Sequence, residues 1–146
     1  MDGVRSEKNS AISDMSGSEI TRILDTQRSA YLNEGHVSVE IRIDRLERVL
    51  KIILKHQDDF IRLINDDFGN RSAGTTLFAD VVASVGAVRD AIKHVKKWMR
   101  PSKRSLAFPF GLLGARGRVI PQPKGVVGLI TPWNFPMTMV FVPLAQ

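Results

Sequence analysis

Apolar residues recur at separations of three and four along most of the first hundred positions, and then the recurrence stops. The 3.6-residue period of an α-helix collects such positions on one face, so three helical stretches are expected before Pro101. Ile20, Ile23, Leu24 and Tyr31 mark the first. It opens on Ser16-Gly-Ser-Glu19, a capping box in which the serine hydroxyl accepts an amide proton and the glutamate reaches back. Gly35 can take the positive φ that ends it. The second begins near Ser38 and carries Ile43, Leu46, Val49, Leu50, Ile53 and Leu54. Polar residues 56–59 interrupt it, and Phe60, Ile61, Leu63, Ile64 and Phe68 resume it up to Gly69-Asn70. That pattern fits one bent helix or two, with Asp58 as a cap for a new first turn. The third stripe is Phe78, Val81, Val85, Val88, Ile92, Val95 and Met99, with Thr75 or Thr76 as cap and Pro101 as stop. Asp80, Arg89, Asp90, Lys93 and Lys97 fall mostly away from it. All three stripes read as core-packing faces. Residues 1–15 are polar and aperiodic and read as a flexible tail.

The pattern changes after Pro101. Residues 105–117 are rich in Phe, Gly and Leu, and residues 118–122 form a short segment with two β-branched side chains. Two strands joined by a glycine-containing turn are expected, the second at an edge because of Pro121 and Pro123. Such a ribbon has little core of its own and should lie on another domain or subunit. Residues 126–130 hold four large apolar side chains without alternation, the pattern of a strand covered on both faces. Pro136 then suits the first turn of a helix. From Met137 onward the chain is apolar on nearly every side, with Pro143 placed to kink it. Strand, loop and helix together make the first half of a βαβ unit.

Composition narrows the chemistry. There is no cysteine among the 146 residues, which excludes disulfides, thiolate metal sites and a cysteine nucleophile within this chain. His36, His56 and His94 stand far apart and form no ligand pattern, so no metal is expected. The net charge is +6. Its densest cluster, Lys93 to Arg104, sits at a predicted helix C-terminus, where cations favour the helix dipole. It is read as a solvated helix end, and no nucleic-acid partner is expected. No apolar run approaches the roughly 18 residues of a membrane span, and the first residues lack a signal-peptide core. A cytoplasmic protein with no membrane partner is the expectation.

The chemistry concentrates in residues 130–136, Ile-Thr-Pro-Trp-Asn-Phe-Pro. In open α/β sheets ligands bind beyond the carboxyl ends of strands, and this loop follows such an end. Pro132 and Pro136 restrict the backbone around Trp133, Asn134 and Phe135. The Asn134 amide is an uncharged donor suited to an oxyanion developing at a carbonyl carbon. Trp133 offers a flat apolar wall for a ring or sugar.

The run PKGVVGLITPWNFPMTM resembles the segment near the start of the cofactor-binding sheet of the aldehyde dehydrogenase superfamily. Pro123, Gly125, Val126, Gly128, Pro132, Trp133, Asn134, Phe135 and Pro136 all fall in step. Upstream, DFGNRS and KKWMRPSKR are similar to the subgroup that includes coniferyl aldehyde dehydrogenases. The resemblance covers about residues 18–146.

It implies an α/β fold: N-terminal helices, a β-ribbon and the first βα unit of a Rossmann-like cofactor domain. The implied divisions are a tail at 1–15, the helical part of the cofactor domain at 16–101, an oligomerisation ribbon at 102–124 and an incomplete βα unit at 125–146. It implies that Asn134 donates to the oxyanion of a thiohemiacetal. Ile130, Thr131, Pro132 and Trp133 would line the channel for the nicotinamide half of NAD or NADP. The substrate would be a small-molecule aldehyde, and the complete enzyme a homo-oligomer, a dimer.

The family's cysteine nucleophile and glutamate base lie well downstream of this motif. The chain therefore resembles the N-terminal third of such an enzyme. Two readings follow: part of an NAD(P)-dependent aldehyde dehydrogenase that forms carboxylic acids, or a fragment with no activity of its own.

Overall fold

The computed structural model describes residues 17–146. The tail expected at residues 1–15 and the Ser16 cap lie outside the described residues. The chain divides into two compact units. One holds the described residues up to His36 together with Lys124–Val127, and the other holds Val37–Pro123 and Gly128–Gln146.

The described part of the first unit is built on α1, Gly17–Glu34. Its end is the expected one: Gly35 takes φ 65° and donates its N–H to the Tyr31 carbonyl at 3.3 Å. The apolar face is weaker than the periodicity implies, since α1 has no buried residue and Ile20 is about half exposed. The Tyr31 ring packs beside Gly125, which takes φ +96°.

The second unit contains α2 (Val39–Lys55), α3 (Gln57–Phe68), a short α4 (Ala73–Thr76), a π-helical stretch (Leu77–Val82) and α5 (Ala83–Trp98). Strands β1 (Ser102–Arg104) and β2 (Gly117–Val119) follow, and then α6 (Thr138–Leu144). Ser38 caps α2, its hydroxyl accepting from the Ile41 N–H at 3.4 Å. The N–H of Glu40 and the Ser38 hydroxyl hold the Glu40 carboxyl below its ordinary range, with a smaller pull from Lys96. Ser38→Ala should lower stability by about 1 kcal/mol, as loss of an N-cap oxygen does. An unchanged urea midpoint for that variant would show that Ser38 is not a working cap.

The interrupted second stripe is two helices. His56 is their hinge: its N–H closes the last turn of α2 on Ile52, and its carbonyl accepts from Phe60 N–H at 2.9 Å to start α3. The cap position thus falls at His56 rather than Asp58, which lies inside the first turn. Gly69 ends α3 with φ 79°.

The core comprises Ile53, Ile64, Val81, Val88, Ala91, Met137 and Ala145. Phe60 and Phe141 meet edge to face beside it, 6.2 Å between centroids. The segment after Pro136 is therefore partly buried, through Met137, Phe141 and Ala145, while Val140 and Leu144 keep exposed surface.

Further expectations need correction. The long third helix is capped by Ser72, whose hydroxyl accepts from the Thr75 N–H, not by Thr75 or Thr76. Its first half is wound with a π-stretch, whose wider turn shifts the inward face. Phe78 consequently points outward at 76% exposure, and Thr76, Asp80 and Ser84 are fully buried. The ribbon pairs Ser102 with Val119, Lys103 with Arg118 and Arg104 with Gly117. Its first strand therefore precedes residue 105, and residues 105–116 form the exposed connection. The ribbon is tight at Gly117, where a Cβ would stand 2.8 Å from a Leu106 methyl and 3.1 Å from the Arg104 carbonyl.

Residues 126–130 form no strand. Val127 and Ile130 are exposed, Ile130 completely. A strand exists only when neighbouring backbones satisfy its N–H and C=O groups. Among the described residues the two-stranded ribbon is the only sheet, and this segment is not in it. The fold is thus mixed, helical with a small antiparallel ribbon.

Candidate functional site

The loop preceding α6 is held by a buried ion pair. Arg71 leaves the Gly69-Asn70 turn at the end of α3, and Asp80 projects from the π-stretch. The Arg71 Nη2 group donates to Asp80 Oδ2 at 2.7 Å, with side chains 10% and 0% exposed. Nη1 donates to the main-chain carbonyl of Asn134, also at 2.7 Å. Asp80 Oδ1 accepts from the N–H groups of Met137 and Thr138, at 3.1 and 3.3 Å. Those are N–H groups at the start of α6, which lack intrahelical partners, and a carboxylate suits that helix end. The Thr138 hydroxyl donates to the Ala79 carbonyl at 2.5 Å. The guanidinium lies against the rings of Phe68 and Phe135, 5.0 and 5.1 Å from their centroids.

The predicted site residues separate on this frame. The Asn134 main chain is fixed by Arg71, while the residue is exposed and its amide is open to a ligand. Trp133 is 83% exposed and reaches an apolar cavity of about 710 Å³. Phe60, Leu63, Ile64, Phe68 and Phe141 also line it. Ile130, Thr131 and Pro132 do not line that cavity; Thr131 is half-buried and the other two are exposed. Exposed Ile130 and Trp133 leave uncovered apolar surface at the loop.

Arg71 lies in the DFGNRS run that carries part of the resemblance, but neither its role nor that of Asp80 is legible in the sequence. Asp80 falls off the apolar stripe, because only apolar residues define one, yet it is fully buried. The usable signal is Thr76, Asp80 and Ser84 at intervals of four, continuing into Val88. A polar row in line with an apolar one marks a buried face; on it Asp80 alone has side-chain partners, while the Thr76 and Ser84 hydroxyls are buried without one among the described residues. No group of three or more metal-ligating side chains occurs among the described residues.

The chain belongs to the aldehyde dehydrogenase family, whose model matches residues 2–146. It is 43% identical over 124 residues to a probable coniferyl aldehyde dehydrogenase of Caulobacter vibrioides, covering 84% of this chain and 26% of that one. It is 42% identical over 122 residues to the coniferyl aldehyde dehydrogenase of a Pseudomonas species, covering 84% and 24%. A probable coniferyl aldehyde dehydrogenase of Pseudomonas aeruginosa is 36% identical over 126 residues, covering 86% and 26%. The chain thus spans about a quarter of the length of these relatives, less than the third expected from sequence. No helix among the described residues is long and apolar enough to cross a membrane.

Proposed function

We propose that residues 1–146 supply the oxyanion donor and one wall of the cofactor site of an NAD(P)-dependent aldehyde dehydrogenase acting on aromatic aldehydes of the coniferyl type. The observation that carries this reading is the exposed Asn134 on a backbone held by Arg71 and Asp80. When a thiolate adds to an aldehyde carbon, the carbonyl oxygen becomes an alkoxide. A neutral amide N–H stabilises that charge without giving up a proton. Asn134 performs this role, and the fixed main chain keeps its reorganisation small. The aromatic lining of the cavity beside Trp133 accepts a planar ring, and its size lies within the usual range for small-molecule sites.

NAD or NADP, when bound, accepts the hydride that oxidises the aldehyde carbon. Ile130, Thr131, Pro132 and Trp133 would hold its nicotinamide end, with Trp133 and Ile130 giving apolar cover and excluding water. The division into a helical part at 16–101, a ribbon at 102–124 and a βα unit at 125–146 belongs to the same proposal. So do a Rossmann-like sheet that pairs residues 126–130 and a cytoplasmic homodimer. The exposure of Phe108, Leu112 and Leu113 beside the ribbon supports an oligomeric contact there.

A second reading, a chain without activity of its own, has its own observation in the absence of cysteine. Both readings expect residues 1–146 alone to form no reduced cofactor from an aldehyde, since no thiolate is present to attack it. They part when the chain is joined to the remaining three-quarters of the Caulobacter vibrioides relative. The first expects turnover of coniferyl aldehyde, followed by absorbance of the reduced cofactor. A chimera that folds, binds NAD+ and turns over nothing, beside an active parent, would overturn it.

A further inference from the structure

We infer that Arg71 and Asp80 are positioning residues for the reaction, a two-point clamp that sets where the Asn134 carboxamide stands. The inference rests on the reading of Asn134 as oxyanion donor. The contacts bracket that residue. Arg71 takes its carbonyl, and Asp80 takes the N–H groups three and four positions later. The two holders are themselves joined at 2.7 Å. One buried carboxylate therefore fixes both ends of residues 134–138, directly at the helix end and through the guanidinium at Asn134.

Packing alone does not call for this arrangement. A buried ion pair carries a desolvation penalty, and apolar residues of like volume often serve stability as well or better. What the pair provides is direction. The planar guanidinium presents two N–H donors at a fixed angle, and here one meets a carbonyl and the other a carboxylate; a lysine ammonium lacks that fork. The Phe68 and Phe135 rings restrict the plane further. Asn134 is exposed, so neighbouring side chains do little to orient it. Its placement must come from its backbone. An oxyanion donor needs placement within about 0.5 Å, which is the kind of constraint such a clamp imposes. Because Asp80 neutralises Arg71, the pair acts through position rather than through its field.

The test uses two variants. Arg71→Lys keeps the charge and loses the fork. Arg71→Met with Asp80→Leu removes both charges together, so neither is left buried and unpaired. Deuterium uptake is read on the 146-residue chain, and steady-state kinetics on the chimera described above. In the double variant the Met137 and Thr138 amides are expected to exchange at least about tenfold faster, with α5 unchanged. In the chimera both variants are expected to lower kcat by about 10- to 100-fold, with the KM for NAD+ within about twofold. Combined with Asn134→Ala, Arg71→Lys should add less than about threefold, because it acts through the side chain already removed. Full multiplication of the two losses, or unchanged kcat in Arg71→Lys, overturns the positioning role. If Asn134→Ala alone leaves kcat unchanged, the oxyanion reading fails. The exchange data then decide the clamp separately: released amides support it, and unaltered protection in the double variant overturns it.

Discussion

Asn134→Ala, made in the chimera of residues 1–146 with the remainder of the Caulobacter vibrioides relative, is expected to lower kcat by about 10²–10³. The expectation follows from when the amide is used. A ground-state aldehyde oxygen is a weak acceptor, and the oxygen of the tetrahedral adduct carries charge. A donor aimed at that oxygen favours the transition state more than the bound substrate, so its removal raises the barrier and leaves binding nearly intact. The main chain of residues 131–138 should be little disturbed, because Arg71 and Asp80 hold carbonyl and amide groups rather than the Asn134 side chain. Trp133 would keep its place, and with it the apolar wall assigned to the cofactor. Steady-state kinetics with a cofactor titration decides the matter. An unchanged kcat with a raised KM for NAD+ would make Asn134 a cofactor ligand instead.

Asp80→Ala is expected to destabilise the second unit by about 3–5 kcal/mol, the usual cost of removing one partner from a buried pair. Three groups lose their acceptor at once: the Arg71 guanidinium and the N–H groups of Met137 and Thr138. Arg71 is only 10% exposed, so water does not readily replace the carboxylate. Met137 is buried in the core, which limits rescue of its amide by solvent. Asp80→Asn keeps an oxygen for the two amides while removing the charge, and should cost less, about 1–3 kcal/mol. Urea denaturation of the three proteins measures both differences. A loss below about 0.5 kcal/mol for Asp80→Ala, the range of ordinary surface substitutions, would show that the pair contributes nothing to the fold.

Local signals in the sequence located much of the helical framework. Ser38 and Gly35 mark helix ends because a capping oxygen and a left-handed turn involve only near neighbours in the chain. The stripe from Val81 through Val88 to Val95 is buried, as its spacing implies. The interruption at residues 56–59 is real, but the choice between a bend and a break was settled only by the hydrogen bonds that His56 shares between two helices. The motif at residues 130–136 carried the family, and the family model and relatives agree with it.

Sequence by itself determined the helix-forming stripes, their glycine and serine ends, the absence of a thiol and the family of the chain. These depend on residue identity and on neighbours within a turn or two. Tertiary structure alone decided that Asp80 faces inward and meets Arg71, nine positions away, and that the two hold Asn134 and Met137 more than fifty positions on. Hydrophobic periodicity cannot report such a contact, because a buried carboxylate needs partners and these come from distant parts of the chain. Tertiary structure likewise decided that residues 126–130 stay unpaired among the described residues. An apolar run records what a strand would bury, whereas the strand itself depends on a neighbouring backbone to complete its hydrogen bonds.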